Sequence, residues 1–193
     1  MVIRGCVINS SEYSGYSSVV KMTSVRLLNV VAKAQGLECL VGDVGNAYLN
    51  GETKEKIFTK CGLEFGPEMV NWNAIVQKGL CGLKSSGNRW YLHFAKTILQ
   101  MGFTPSRYDP DVWYKLRNDG EGYDYIATYV DDFLITAKDA WSYMRHLQSV
   151  YTIKEPAHLE IYLGALYTGQ PSQDWTISCK IYFKEAITRI EHL

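Results

Sequence analysis

The amino-acid sequence predicts an α+β fold in which an antiparallel sheet packs against helices. Three β-rich runs follow one another between residues 111 and 137 with only short turns between them, which is typical of an antiparallel meander. Segments with helical spacing surround these runs, without the regular alternation of a doubly wound sheet. The chain has 193 residues and is 47% hydrophobic, enough to bury one substantial core. We therefore expect one compact unit, with or without lobes.

The first half of the chain mixes short strands with helices. Residues 1–9 have the composition of a strand. From Ser17 to Ala34 the apolar residues recur with helical spacing, and Gly36 ends the predicted helix. The core-facing residues of that helix are predicted to be Val20, Leu27, Val31 and Ala34. The other predicted elements are a strand at 37–44, a helical turn at 46–50, strands at 56–60 and 74–80, and a helix at 87–101.

The second half is richer in β-structure. The meander is predicted from runs at 111–116, 123–130 and 133–137, with turns at residues 118–120 and at Asp131-Asp132. An amphipathic helix is predicted at 139–150. Strands near 161–168 and 174–179 and a last helix from about residue 182 complete the pattern.

Composition excludes several classes of protein. The 20 basic and 20 acidic residues cancel, so only a local basic patch could attract nucleic acid. Five cysteines without C-x-x-C spacing argue against a disulfide framework or a zinc site. No apolar run of about 18 residues and no signal-peptide pattern is present. We therefore expect an intracellular, cytoplasmic protein that does not cross a membrane.

Two adjacent aspartates, Asp131 and Asp132, interrupt one of the most apolar stretches of the chain. One interpretation is a two-residue hairpin turn, because Asp tolerates the backbone conformations that such turns require. The other is a metal site, because divalent cations neutralise two like charges held close together on a rigid hairpin. The pattern alone leaves both interpretations open.

A third acid, Asp43, follows the apolar residues 39–41. By itself, an Asp after Gly at the end of a strand is more often a helix N-cap than a metal ligand. Carboxylates without neighbouring His or Cys suit Mg²⁺ or Mn²⁺, and Mg²⁺ takes one or two carboxylates together with water and phosphate oxygens. The three acids together therefore indicate phosphoryl-transfer chemistry.

Three motifs resemble the reverse transcriptases of copia-class LTR retrotransposons, in the order found in that family. Residues 43–51 (Asp-Val-Gly-Asn-Ala-Tyr-Leu-Asn-Gly) resemble its Asp-Val-x-x-Ala-Phe/Tyr-Leu-x-Gly motif. Residues 79–90 resemble its Leu-Tyr-Gly-Leu-Lys-Gln-x-x-Arg-x-Trp block, and residues 129–132 are its Tyr-Val-Asp-Asp box. Weaker similarities lie at Arg4-Gly5, residues 16–20, 102–109 and 162–164. The resemblance covers residues 2–168.

This resemblance implies the fingers and palm of a right-hand polymerase at residues 1–168, with 169–193 starting a thumb-like or connecting segment. In the family, the palm acids hold two Mg²⁺ ions about 3.5–4 Å apart for in-line nucleotidyl transfer. Asp43 and Asp131 would be the principal ligands, with the Val44 carbonyl on the nucleotide-bound ion and Asp132 as a third carboxylate. Tyr48 matches the steric gate that excludes a 2′-hydroxyl, although a plain core aromatic is the other interpretation.

The resemblance also implies substrate-binding residues outside the acids. Lys84 and Arg89 would contact the incoming nucleotide or the template backbone, as cations commonly contact phosphate, although ordinary solvated charges are equally consistent with the pattern. Ser85 lies in the nucleotide pocket of the family, and Arg4 would reach the triphosphate from the fingers. A strand-edge arginine is the alternative interpretation of Arg4.

The implied partners are an RNA or DNA template with its primer, deoxynucleoside triphosphates, and the integrase and ribonuclease H domains of a longer polyprotein. The sequence departs from the family at Ser85, where Gln is usual, and at Cys81, where Tyr is usual. The chain is expected to begin within a domain and to lack a full thumb, so we expect a weak grip on the duplex. Two alternative functions stay open: a degenerate fragment that only binds nucleic acid, and a different metal-dependent phosphotransferase or nuclease.

Overall fold

A computed structural model describes residues 17, 19–169 and 176–191. The strand predicted at 1–9, and Arg4 with it, lies outside the described residues. The chain divides into two compact units. We call them the sheet unit, Val19–Gly45 with Met101–Leu193, and the hairpin unit, Met1–Ser18 with Asn46–Gln100.

The sheet unit is built on a six-stranded antiparallel sheet. Its strands are β1 (Glu38–Val44), β4 (Thr104–Pro105), β5 (Val112–Leu116), β6 (Tyr123–Tyr129), β7 (Asp132–Ala137) and β8 (Ile153–His158), in the order β4-β5-β6-β7-β1-β8. A smaller antiparallel sheet holds β9 (Ile161–Tyr162), β10 (Ala165–Thr168) and β11 (Thr176–Ser178). The helices are α1 (Met22–Gln35), α3 (Ala140–Val150) and α4 (Lys180–Glu191). These observations confirm the predicted α+β class and the predicted meander at β5, β6 and β7.

Strand β7 lies at the centre of the core. Residues 133–137 are all buried, because α1 and α3 both pack on β7 and on its neighbour β1. Successive side chains of a strand point to opposite faces, so a strand covered on both sides is apolar along its whole length. The apolar run 133–137 therefore follows from the position of β7 between two helices.

Helix α1 buries a different face from the predicted one. The buried residues of the helix are Val25, Leu28, Asn29 and Ala32, whereas Leu27 is 62% exposed. Both sets have helical spacing, and the observed set includes a polar residue, which made it the weaker pattern. Val20 is buried but precedes the helix, Val31 is half-buried and Ala34 is exposed, so the predicted face was wrong.

The hairpin unit contains β2 (Glu52–Lys60) and β3 (Asn73–Lys78), which pair antiparallel, and α2 (Ser86–Gln100). Trp90, Phe94 and Ile98 form the buried face of α2, as their spacing predicts. The Trp90 and Phe94 rings stack with their centroids 5.0 Å apart. A 3-10 helix, Ala47–Asn50, forms where a helical turn was predicted at 46–50.

Two features of the sheet unit differ from the sequence prediction. The hairpin turn between β6 and β7 consists of Val130 and Asp131, since Tyr129 pairs with Asp132. The predicted turn at Asp131-Asp132 was therefore displaced by one residue. Strand β8 was not predicted at all, because its sequence contains Pro156 and alternates poorly. Within the described ranges, no helix combines the length and the apolar character needed to cross a membrane.

Candidate metal-binding carboxylate site

Asp43 and Asp132 lie directly opposite each other on the adjacent strands β1 and β7. Asp43 is the penultimate residue of β1, and Asp132 is the first residue of β7. Because residues paired across two strands point to the same face, the two carboxylates share one side of the sheet. Antiparallel pairing thus brings together two acids that are 89 positions apart in the sequence.

Asp131 lies in the hairpin turn, one residue before Asp132, and its side chain is exposed. Its carbonyl oxygen accepts a hydrogen bond of 2.9 Å from the Val44 N–H, which ties the turn to the end of β1. Val44 itself is buried. The described structure therefore brings Asp43, Val44, Asp131 and Asp132 together where β1 ends and β7 begins.

The turn that carries Asp131 is strained at Val130. Its φ angle is +56°, in the left-handed region that β-branched residues rarely adopt. Only the first of the two turn residues has positive φ, and Gly is the usual residue at that position of a type II′ turn. Strain of this kind, of order 1–3 kcal/mol, tends to occur at functional sites and persists only where surrounding contacts fix the backbone.

A glycine next to Asp43 allows β7 and β8 to pack closely around the site. A Cβ atom at Gly42 would lie 2.5 Å from Cζ of Phe133 and 2.9 Å from Cγ2 of Ile153. The Phe133 ring therefore occupies the space that any side chain at position 42 would need. This explains why Gly precedes Asp43 inside a strand, where Gly is otherwise unfavourable.

The carboxylates crowd one another electrostatically. The pKa of the Asp132 carboxyl is raised to about 6, chiefly by burial and then by the charges of Asp131 and Asp43, while Lys154 opposes the rise. Burial and then the charge of Asp132 also raise the pKa of the Tyr162 phenol. A site with surplus negative charge of this kind is one that a divalent cation would stabilise.

Lys154 is a functional candidate that the sequence interpretation missed. It lies on β8 in register with Asp43, and its Nζ donates to Asp43 Oδ2 over 3.1 Å. If Ile153–His158 had been predicted as a strand antiparallel to β1, Lys154 would have been placed beside Asp43. The pair is well exposed, so the contact itself contributes little to stability.

The oxygens of Asp43 test whether the site suits a metal. Oδ1 is buried and has no hydrogen-bond partner among the described residues, while Oδ2 accepts a hydrogen bond from Lys154. The adjoining cavity, of about 650 Å³, is lined by Asp43, Asp132, Lys154 and Tyr162 among others. An unpartnered carboxylate oxygen beside a second carboxylate and an open cavity fits a hard cation that completes its shell with water and phosphate.

The described part of the chain contains no group of three His, Cys, Asp or Glu side chains arranged to hold a metal ion as they stand. Two carboxylates, Asp43 and Asp132, face each other, and the third, Asp131, lies in the exposed turn. Two carboxylates with non-protein oxygens suffice for Mg²⁺, which usually keeps several waters. The donor set therefore fits Mg²⁺ better than an ion that needs a closed protein shell.

The other predicted site residues belong to the hairpin unit. Tyr48 lies in the 3-10 helix and is half-buried. A Cβ atom added at Gly79 would lie only 2.6 Å from the Tyr48 carbonyl oxygen. Ser85 is buried and its carbonyl accepts from the Arg89 N–H over 3.0 Å. Arg89 is half-buried and Lys84 is exposed. All four residues therefore belong to the hairpin unit. Tyr48 lies in the 3-10 helix, Lys84 and Ser85 lie in the turn before α2, and Arg89 lies in the first turn of α2.

Comparison with known proteins supports a single family. The family model described as "Reverse transcriptase (RNA-dependent DNA polymerase)" matches residues 1–192. A Retrovirus-related Pol polyprotein from transposon RE1 of Arabidopsis thaliana is 29% identical over 153 residues, covering 77% of this chain and 10% of that protein. The corresponding polyprotein from transposon TNT 1-94 of Nicotiana tabacum is 33% identical over 127 residues, covering 64% and 9%.

A third relative is shorter. The Putative transposon Ty5-1 protein of Saccharomyces cerevisiae is 30% identical over 156 residues, which cover 77% of this chain and 49% of the yeast protein. The chain therefore spans about a tenth of the length of the plant polyproteins and about half of the yeast protein.

Proposed function

Because the chain belongs to the reverse transcriptase (RNA-dependent DNA polymerase) family, we propose that it transfers nucleotides from deoxynucleoside triphosphates to a primer 3′-hydroxyl, directed by an RNA template. Membership confirms the resemblance to a retrotransposon reverse transcriptase that the three ordered motifs predict. The observation that supports the chemistry is the register of β1 and β7, which sets Asp43 opposite Asp132 beside the turn that carries Asp131. We assign the sheet unit up to residue 168 to the palm and the hairpin unit to the fingers of a right-hand polymerase, with residues 169–193 as the start of a thumb-like or connecting segment.

In this proposal Asp43, Asp131 and Asp132 hold two Mg²⁺ ions, for which Mn²⁺ can substitute, and the Val44 carbonyl contributes a further ligand. Bound divalent ions supply Lewis-acid stabilisation of the attacking hydroxyl and of the triphosphate oxygens. We propose Oδ1 of Asp43 as a ligand atom, because it has no hydrogen-bond partner within the part of the chain that the structure describes. Lys154 orients the carboxylate by holding its other oxygen.

We assign substrate selection to the hairpin unit. Tyr48 is proposed to exclude a 2′-hydroxyl by the bulk of its ring, and the absence of a side chain at Gly79 leaves room for the Tyr48 carbonyl oxygen. Lys84 and Arg89 are proposed to contact phosphates, as charge-assisted donors do. Ser85, which is buried, is proposed to lie at the nucleotide pocket, and Arg4 is proposed to contact the triphosphate. The partners are a primer–template and the remaining polyprotein domains, including integrase and ribonuclease H.

The test is primer extension on an RNA template with Mg²⁺, performed with this chain and with a longer polypeptide that includes flanking polyprotein sequence. Asp131→Asn and Asp43→Asn should abolish incorporation, whereas Glu121→Gln, which removes an exposed carboxylate in the turn between β5 and β6, should not. Equal extension by all variants would refute the assignment of the acids. Binding of primer–template without incorporation would support a degenerate fragment, and Mg²⁺-dependent cleavage without extension would support a nuclease.

A further inference from the structure

The last two residues of β6 lead into the strained turn and are held by a segment that precedes α1. Strand β5 pairs with β6 only as far as Ala127. Beyond that point Val19 forms an antiparallel bridge with Tyr129, and the Val20 N–H donates to the Thr128 carbonyl over 3.0 Å. The segment that precedes α1 therefore takes the place of β5 beside the end of β6.

Asp111 connects this segment to β6. Its Oδ2 atom accepts a hydrogen bond of 3.1 Å from the Val19 N–H. Its carbonyl oxygen accepts from the N–H and from the hydroxyl of Thr128, over 2.9 and 3.3 Å. Asp111 is 3% exposed, and a buried carboxylate is costly unless hydrogen bonds compensate for its lost hydration. One buried residue thus binds both the segment and the strand that leads into the turn.

A second buried acid, Asp109, secures the same segment further along the chain. Its Oδ2 atom accepts from the Lys21 N–H over 3.0 Å and from the Ser24 hydroxyl over 2.6 Å, at the start of α1. A carboxylate at the N-terminus of a helix stabilises that helix. Helix capping therefore explains Asp109, but it does not explain the side chain of Asp111, whose partner Val19 precedes the helix.

We propose that Asp111 is a positioning residue for the metal-binding carboxylates. Val130 follows Tyr129 directly and has a φ angle of +56°, and a strained residue persists only where surrounding contacts fix the backbone. Pairing with β7 fixes one edge of β6 before the turn, and Asp111 fixes the other edge through Val19. The inference rests on the proposed function, because it takes Asp131 and its neighbours as metal ligands.

The competing explanation is that Asp111 only stabilises the fold, and Asp124 provides a matched control. Asp124 is also a buried acid, 5% exposed, but it lies at the opposite end of β6 from the turn. Its carboxylate accepts from the Lys138 N–H over 3.1 Å and from the Tyr143 hydroxyl over 2.9 Å. Truncation of either acid leaves donors unpaired and should lower the free energy of unfolding. Only truncation of Asp111 should disturb the turn.

The first test uses the Val44 N–H, which donates to the Asp131 carbonyl, as a reporter of the turn. Its hydrogen exchange is measured by NMR in EDTA. Asp111→Ala should accelerate this exchange by about tenfold more than Asp124→Ala does, because the turn opens locally while the rest of the sheet stays folded. Asp111→Asn should restore slow exchange, since its amide oxygen can still accept from the Val19 N–H.

The second test measures binding of Mn²⁺ alone, with free Mn²⁺ determined by electron paramagnetic resonance. Asp111→Ala should weaken binding by about tenfold, because the relaxed turn must return to its strained conformation before the acids converge. In a Val130→Gly background the same substitution should weaken binding by less than about twofold, as glycine adopts the left-handed conformation without strain. Asp124→Ala should bind Mn²⁺ like the wild type.

Equal acceleration of Val44 exchange by Asp111→Ala and Asp124→Ala would overturn the proposal. So would a loss of Mn²⁺ affinity in Asp111→Ala that has the same size with and without Val130→Gly. Neither measurement involves primer, template or nucleotide. A chain that shows both effects of Asp111→Ala but extends no primer would therefore refute the proposed function and leave this inference standing.

Discussion

Replacement of Asp132 by Asn should stabilise the folded chain at neutral pH. Burial and the neighbouring acids raise the pKa of this carboxyl to about 6 from an ordinary 3.8. A rise of about two units corresponds to roughly 3 kcal/mol, and solvent screening of a half-exposed group reduces this to about 1–2 kcal/mol. The ionised carboxylate costs this free energy in the folded state, and an amide of the same shape removes the charge.

The sign of the pH dependence follows from the direction of the shift. A carboxyl whose pKa is raised in the folded state binds its proton more tightly there than in the unfolded chain. Its destabilising effect is fully present above about pH 6 and disappears as the pH falls towards about 4. The advantage of Asp132→Asn should therefore be large at neutral pH and nearly absent in acid.

Urea unfolding of both proteins in EDTA, at a pH above 6 and again near the ordinary pKa of Asp, measures this difference. Glu121→Gln is the control, because Glu121 is an exposed acid in the turn between β5 and β6 of the same unit. Its free energy of unfolding should match that of the wild type at both pH values. A gain for Asp132→Asn that does not change with pH, or no gain at all, would refute the electrostatic reasoning.

Other substitutions test the packing and the ligands of the same site. Gly42→Ala should lower the free energy of unfolding by about 1–3 kcal/mol in urea, since its Cβ would lie 2.5 Å from Cζ of Phe133; wild-type stability would show that the ring moves away freely. Tyr162→Phe should raise the melting temperature by the equivalent of about 1 kcal/mol, because the buried hydroxyl has no hydrogen-bond partner in the described ranges. A lower melting temperature would mean that the hydroxyl is satisfied. Val130→Gly should raise the free energy of unfolding by about 1 kcal/mol, as it relieves the left-handed φ, and a loss in urea unfolding would contradict the strain. Mg²⁺ at about tenfold over its Kd should stabilise the wild type by about 1.4 kcal/mol and leave Asp43→Asn unchanged in thermal unfolding; equal stabilisation of both would exclude Asp43 as a ligand.

Much of the fold could be predicted from periodicity alone. The meander and α2 were predicted to within a few residues, because β-rich runs and a buried aromatic stripe dominate those segments. The face of α1 was wrong because two stripes with helical spacing overlap, and tertiary contacts selected the one that contains Asn29. The turn between β6 and β7 was displaced because a sequence rule assigns turns to Asp-Asp, whereas the structure holds Val130 in the strained position.

The candidate site was predicted in part. The order of the motifs indicated the acids, and strand register now brings Asp43 and Asp132 face to face. Lys154 was missed because the sequence of β8 contains Pro156 and several charged residues, which are not typical of a strand. The structure places β8 at the edge of the sheet, where proline is tolerated. Residue type therefore indicated the chemistry of the acids, and only the pairing of β8 with β1 revealed the cation beside them.

Three unfavourable features of the sheet unit lie together where strands β1 and β7 meet the turn before β7. Val130 has a strained backbone, Asp132 carries a charge that burial opposes, and Asp43 has an unpartnered oxygen. Defects retained together at one place are more readily explained by function than by chance, because substitutions that remove them are chemically simple. The stabilising substitutions at Val130 and Asp132 should consequently be the ones that lose primer extension, whereas a destabilising change such as Gly42→Ala should lower activity only in proportion to the unfolded fraction. If Asp132→Asn stabilises the chain and also extends primers normally, the raised pKa has no bearing on catalysis.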